Sequence, residues 1–119
     1  MADVLAYIDD IFFQAKLVET ARQLRVELRP CADTHAFAAE LAKGKPKLIV
    51  VDLNARANPF DAIGIAKSDA RDVPVIGFLS HVQTELAEKA RVAGCEEVMP
   101  RSKFTRDLAT ILARAKSQS

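Results

Sequence analysis

Apolar residues along the chain alternate between short unbroken runs and recurrence at helical spacing. Val4-Leu5-Ala6-Tyr7-Ile8 is a run ended by Asp9-Asp10, which predicts a buried strand. Phe13, Leu17, Ala21 and Leu24 then repeat at helical spacing, and Val26 and Leu28 alternate with polar residues as in an outer strand. Asp33 or Thr34 is placed to cap a helix carrying Phe37 and Leu41, which Gly44 stops. Leu48-Ile49-Val50-Val51 is the clearest buried strand, again ended by an acid, Asp52. Pro59 suits the first turn of a helix holding Ile63 and Ala66. Val73 to Leu79 reads as a fourth strand, with Pro74 tolerable only near its start. Val82, Leu86, Ala90 and Ala93 form a helix face ended by Gly94. Glu97-Val98-Met99 is a short fifth strand, and Phe104, Leu108, Ile111, Leu112 and Ala115 line one last helix.

Five strands alternating with five helices predict a parallel sheet covered by helices on both faces. The 119 residues fit one domain, 1–119, with no repeat, linker or low-complexity segment. Composition adds mainly exclusions. Seventeen basic and 16 acidic residues leave a formal net charge of +1, so charge argues for neither nucleic acid nor an anionic membrane. Cys31 and Cys95 lack partners at metal-ligand spacing and read as packed free thiols. The opening MADVLAYIDD lacks the basic start of a signal peptide, and no apolar run approaches a membrane span. A reducing cytoplasm is the expected location.

In an open parallel sheet, ligands bind beyond the carboxyl ends of the strands. The residues ending each strand therefore matter most. They are Asp9 and Asp10 after the first, Asp52 after the third, Ser80 after the fourth and Arg101 after the fifth. Three carboxylates, one hydroxyl and one cation are expected at one sheet edge.

This set resembles the receiver domains of two-component response regulators, the chemotaxis-regulator type included, over nearly the whole chain. The resemblance rests on Ile8-Asp9-Asp10, on Leu48-Ile49-Val50-Val51-Asp52, on Pro74-Val75-Ile76-Gly77-Phe78-Leu79-Ser80 and on Gly94-Cys95-Glu96-Glu97-Val98, in that order. It implies a three-layer αβα, doubly wound, flavodoxin-like fold with strand order 2-1-3-4-5. It also implies that Asp52 is a phosphoacceptor rather than a residue of an enzyme turning over its own substrate. Mg²⁺ would be held by Asp9 or Asp10, by Asp52 and by the backbone carbonyl of Asn54. Ser80 would turn toward the phosphoryl oxygens. The phosphodonor would be a histidine kinase or phosphotransfer protein. No output domain fits in this length, so a downstream protein would dock on the last two helices and the strand between them.

Several positions depart from the family. Arg101 stands where a lysine is usual, and Ser102 replaces the following proline. A guanidinium is a planar fork and not a compact point charge. Lys103 is the alternative carrier of that charge. The loop Leu53-Asn54-Ala55-Arg56-Ala57-Asn58 lacks the usual Met-Pro and Gly, Val98 replaces a swinging aromatic, and the bulky His81 follows Ser80.

Simpler roles compete at each site. Asp10 is placed to cap the first helix, Ser80 with Gln83 fits a capping box, and Arg101 is within reach of Glu97. His35 has no partner suggesting a metal site. Two further functions remain open. One is a phosphorylation-independent pseudo-receiver, a protein-docking module in which Arg101 pairs permanently with Asp52. The other is a small enzyme or nucleotide binder, against which stands the acidic, glycine-free turn at Asp9-Asp10-Ile11.

Overall fold

A computed structural model describes residues 2–80 and 83–116. The elements run β1 Val4–Tyr7, α1 Ile11–Gln23, β2 Leu28–Cys31, α2 Thr34–Ala42, β3 Leu48–Asp52 and α3 Pro59–Asp69. They continue with β4 Val75–Leu79, α4 Thr84–Ala93, β5 Glu97–Pro100, α5 Arg101–Arg106 and α6 Leu108–Ala113. The strands form one sheet in the order β2-β1-β3-β4-β5, and every pairing is parallel. This is the flavodoxin-like architecture expected from the sequence.

Alternation along the strands divides the interior in two, because successive side chains leave a strand on opposite faces. Val4, Ala6, Leu48, Val50, Ile76 and Phe78 pack with α1, α5 and α6. Leu5, Tyr7, Ile49, Val51, Val75 and Leu79 pack with α2, α3 and α4. Strands buried on both faces explain why β1, β3 and β4 read as unbroken apolar runs. The outer β2 buries only its two ends, Leu28 and Cys31.

Local chemistry sets the element ends. Asp10 and Asp33 cap α1 and α2, accepting from the backbone N–H groups of Phe13 and Ala36 at 3.1 and 2.8 Å. Pro59 opens α3, and Pro74 lies just outside β4. Gly94 closes α4 at φ +127°, a backbone region that a Cβ disfavours.

The fourth strand starts at Val75 and not at Val73, and two other departures from the sequence reading have a local cause. β2 begins at Leu28 because Arg25, at φ +59°, turns the chain, and the N–H of Val26 still bonds to Ala21 in the preceding helix. The single last helix is two segments. Asp107, at φ −99° and ψ 12°, leaves helical geometry, although backbone hydrogen bonds from Asp107 to Lys103 and from Ile111 to Asp107 bridge the break.

Candidate functional site

Register brings the strand-end residues together. Tyr7 is level with Val51, Asp52 with Phe78, and Phe78 with Met99. Asp9 and Asp10, Ser80 and Arg101 each leave the sheet within a few residues of that line. An open cleft of about 540 Å³ is lined by Asp9, Asp10, Asp52, Asn54, Ser80 and Arg101. Arg56, Ile11 and Phe12 complete its rim.

Asp52 is 2% exposed and is the buried charged residue among those described. Burial pushes its carboxyl above the ordinary aspartate value. The Asn54 N–H, donating to Oδ1 at 2.9 Å, and the Arg101 charge oppose that shift, while Asp9 and Asp10 add to it. Asp10 moves the other way. The Phe13 N–H and then the Arg101 side chain hold its carboxyl below the usual range. Asp10 is therefore both helix cap and ion-pair partner. Asp9 accepts from the Arg56 N–H at 2.9 Å.

Arg101 begins α5 and turns its guanidinium into the cleft. One terminal nitrogen lies 3.0 Å from Asp10 Oδ2 and the other 3.6 Å from Asp52 Oδ2. The guanidinium carbon sits 4.6 Å from the ring centre of Phe13 and 5.6 Å from that of Phe78. Phe13 meets Phe78 edge-on, and Phe78 stacks on Phe104. This aromatic seat suits a guanidinium, which is weakly hydrated and favours ring faces. The surface pairing of Arg101 with Glu97 does not occur, because Glu97 binds Arg114 instead. Lys103 is not a substitute either, since its Nζ pairs with Asp107 at 2.8 Å.

Ser80 does not form a capping box. Its hydroxyl donates to Asn54 Oδ1 at 3.0 Å and its N–H to the same oxygen at 2.7 Å. Gln83 is itself the residue preceding α4, so it stands too early in the chain to complete the box. Its Oε1 accepts from Asn54 Nδ2 at 3.1 Å. His81 and Val82 lie outside the described residues. Val98, in place of the aromatic, is half-buried on β5.

The oxygen-only donors Asp9, Asp52 and the Asn54 carbonyl fit the chemistry of Mg²⁺, which takes one or two carboxylates and retains several waters. Asp10 is the donor already engaged, by Arg101 and the Phe13 N–H. Among the described residues, no three or more Asp, Glu, His or Cys side chains are gathered to hold a metal ion. Cys31 and Cys95 are buried thiols, each pushed up to about 11 by burial.

Sequence reasoning did not anticipate the seat of Phe13 and Phe78, the side-chain role of Asn54, or the Arg56 N–H. It also left unremarked Ile11 and Phe12, which are 75% and 90% exposed beside the cleft. Their sequence signal was available, because Ile11 and Phe12 lie off the helix face set by Phe13, Leu17, Ala21 and Leu24.

The fold compares with that of response-regulator receivers. No family profile and no curated protein sequence matches it. Among solved structures it is similar to the receiver domain of NtrX from Brucella abortus, with a TM-score of 0.81 at 19% identity, over 98% of this chain and all of that one. It is equally similar to the chemotaxis protein CheY4 of Vibrio cholerae, with a TM-score of 0.82 at 20% identity over 98% and 99% of the two chains. A response regulator from Burkholderia pseudomallei, with a phosphorylated aspartic acid, a calcium ion and citrate, gives 0.81 at 15% identity, over 98% of this chain and 68% of that one. The chain spans 26% of the longer NtrX chain. At such identities the likeness carries the fold, which is the receiver fold. Among the described residues no helix is long and apolar enough to cross a membrane.

Proposed function

We propose that residues 1–119 act as one receiver module in phosphorelay signalling, accepting a phosphoryl group on Asp52. The observation that carries this reading is a buried carboxylate at the end of β3, opening into a cleft that also holds Asp9, Asp10, Ser80 and a cation. Asp52 Oδ1 is tied to the Asn54 N–H, which leaves Oδ2 as the attacking oxygen. The Oδ2–P bond forms as the donor's P–N bond breaks, and the departing imidazole takes up a proton. Such transfers need mostly positioning and charge stabilisation. Mg²⁺, held by Asp9 or Asp10, by Asp52 and by the Asn54 carbonyl, would neutralise charge on the phosphoryl oxygens. Arg101 would pair with a phosphoryl oxygen, and Ser80 would turn from Asn54 to donate to another. The donor is a histidine kinase or phosphotransfer protein, and the signal leaves through a protein docked on α4, β5 and α5, with no role for nucleic acid or membrane.

The test is incubation with a small acyl phosphate or phosphoramidate and Mg²⁺, read by intact mass. Wild type should gain one phosphoryl group and Asp52→Asn none. In parallel, beryllofluoride with Mg²⁺ should move the amide resonances of Ser80, β5 and α5. Wild type that stays unmodified and unshifted under both treatments would sink the proposal.

The alternative is a phosphorylation-independent pseudo-receiver. Arg101 already places positive charge against Asp10 and Asp52, as a phosphorylation-independent docking module would. A partner that binds wild type and Asp52→Asn with equal affinity supports that reading over the first.

A further inference from the structure

We propose that the outer face of α1 is a self-association surface, on which a second copy of this chain packs antiparallel beside the acidic cleft. Among the described residues, the large apolar side chains left exposed are Ile11, Phe12, Val18 and Val92, and three of these four belong to α1. At about 3.6 residues per turn, Ile11, Ala15, Val18 and Arg22 fall within roughly 60° of one another. That stripe lies opposite the buried face of Phe13, Leu17 and Ala21. Phe12, Lys16 and Glu19, all exposed, flank one side of it. Apolar residues scattered singly over a surface need no explanation, whereas a stripe of them on one helix marks a contact surface.

The stripe is complementary to itself. A two-fold contact is isologous, so that residue i meets residue j and j meets i. With Ala15 of one copy level with Val18 of the other, a small side chain faces a larger one twice. The same register brings Ile11 level with Arg22. On the flank it sets Lys16 beside Glu19 and Phe12 beside Arg22, again twice each. Glu19 and Arg22 already pair at 2.8 Å within one helix, so Lys16 of the other copy extends an alternating row of charges across the seam. A guanidinium beside the Phe12 ring is a favourable contact as well. A parallel arrangement would instead stack Arg22 on Arg22 and Lys16 on Lys16, which like charges oppose.

Pairing reaches the cleft. Ile11 and Phe12 line it, directly after Asp9 and Asp10. Arg22 of the second copy therefore arrives at the acidic turn, where Asp9 accepts from the backbone N–H of Arg56. Each copy brings a cation to the edge of the other's cleft and narrows its mouth. The seam from residue 11 to residue 22 is about 17 Å long, at ~1.5 Å per residue. An interface that small is weak and reversible. The paired form is thus set by protein concentration and yields to any partner that binds the same face more tightly. The inference stands apart from the phosphoacceptor reading, because pairing needs only the outer face of α1.

The test is sedimentation velocity of the full chain from about 10 µM to about 1 mM, with neither metal nor phosphodonor present. Wild type should shift from monomer toward dimer as concentration rises. Val18→Glu sets a charge at the centre of the seam twice over and should weaken association about tenfold or more. Lys16→Glu and Glu19→Lys should each weaken it several-fold, since each turns two attractive pairs into two repulsive ones. The double variant exchanges the charges and should recover the wild-type association. All three positions are exposed, and thermal melts matching wild type confirm that the variants fold. A wild type that stays monomeric over the whole range overturns the inference, as does association that survives Val18→Glu. Failure of the double exchange to recover what the single reversals lose also overturns it, because the antiparallel register requires that recovery. The phosphoacceptor reading is judged separately, by the mass gain at Asp52.

Discussion

Asn54 Oδ1 accepts two hydrogen bonds from Ser80, one from the backbone N–H at 2.7 Å and one from the hydroxyl at 3.0 Å. The same side chain donates through Nδ2 to Gln83. The loop after β3 thus clamps both sides of the loop after β4. A hydroxyl committed to Asn54 must leave that oxygen before it can donate elsewhere. Asn54→Ala should release the Ser80 N–H. With each net hydrogen bond worth about 1 kcal/mol, exchange at that amide should rise roughly fivefold. Ser80→Ala keeps the N–H and should leave its protection near the wild-type level. Native-state hydrogen exchange by NMR checks both. Unchanged exchange in Asn54→Ala would remove the clamp from the account.

Asp52 makes a prediction of opposite sign to most core polar residues. Burial raises its carboxyl above the ordinary value, so the fold favours the protonated form. For a raised acid, this contribution to stability is full below the unfolded-state value and is lost as pH rises through the folded value. At neutral pH without metal, the ionised carboxylate is therefore a destabilising charge. Asp52→Asn should raise stability at pH 7 by on the order of 1 kcal/mol, a few degrees in Tm. Its Oδ1 still accepts from Asn54, and Arg101 still has Asp10. The advantage should shrink as pH falls and Asp52 itself protonates. Thermal melts of both proteins across acid to neutral pH test this, and an advantage that persists unchanged at low pH would exclude the burial argument.

What was legible in the sequence follows from where each signal originates. Runs such as Leu48-Ile49-Val50-Val51 announce strands because a parallel sheet buries both faces. Asp9, Asp10, Asp52, Ser80 and Arg101 were legible as one group because parallel strands all end on one side of their sheet. The choice of partners was not. Arg101 lies near Glu97 in the chain, yet it pairs with Asp10, which is distant in sequence. Periodicity gave Phe13 and Phe78 a core face but could not show that their rings also carry a guanidinium. Ser80 and Gln83 match a capping box as text. That reading fails because α4 starts only at Thr84, after the position the box requires. The break at Asp107 was hidden because the apolar spacing from Phe104 to Ala115 continues through it.

Gly94 supplies a test of the turn that leads into β5. Its φ of +127° is strained for any residue with a Cβ. A Cβ built there would also lie 2.7 Å from Lys67 Cγ. Lys67 cannot move without cost, since its Nζ binds Glu96 at 2.6 Å and Glu96 also accepts from the Val75 N–H at 2.7 Å. Gly94→Ala should destabilise the protein by about 1–3 kcal/mol in urea unfolding. Adding Lys67→Ala removes the clash but not the backbone strain. The double variant should therefore be more stable than the sum of the single effects. Strict additivity would show that the contact with Lys67 contributes nothing to the cost.

Tyr7 is the one tyrosine in a chain without tryptophan, so its optical signal reports on a single site. It is buried at the end of β1, packs edge-on against Phe37 at 5.7 Å, and donates its hydroxyl to the backbone carbonyl of Ala57. That bond anchors the loop between Asp52 and α3, where Asn54 and Arg56 meet the cleft. Burial, with the nearby Asp33, Asp61 and Asp9 charges, raises the phenol above its ordinary value of 10.0. The neutral phenol is the form the fold favours, so its contribution is present below the unfolded value and is lost as pH rises through the folded one. Tyrosinate absorbance should therefore appear at higher pH than for free tyrosine, and together with alkaline unfolding. Tyr7→Phe removes the hydroxyl and leaves the Ala57 carbonyl without that donor. It should cost about 1 kcal/mol and speed amide exchange at residues 55–58, with the Asp52 strand unaffected. Tyrosinate forming at the free-tyrosine pH while the fold persists would mean that the hydroxyl is open to solvent and that something else holds the loop.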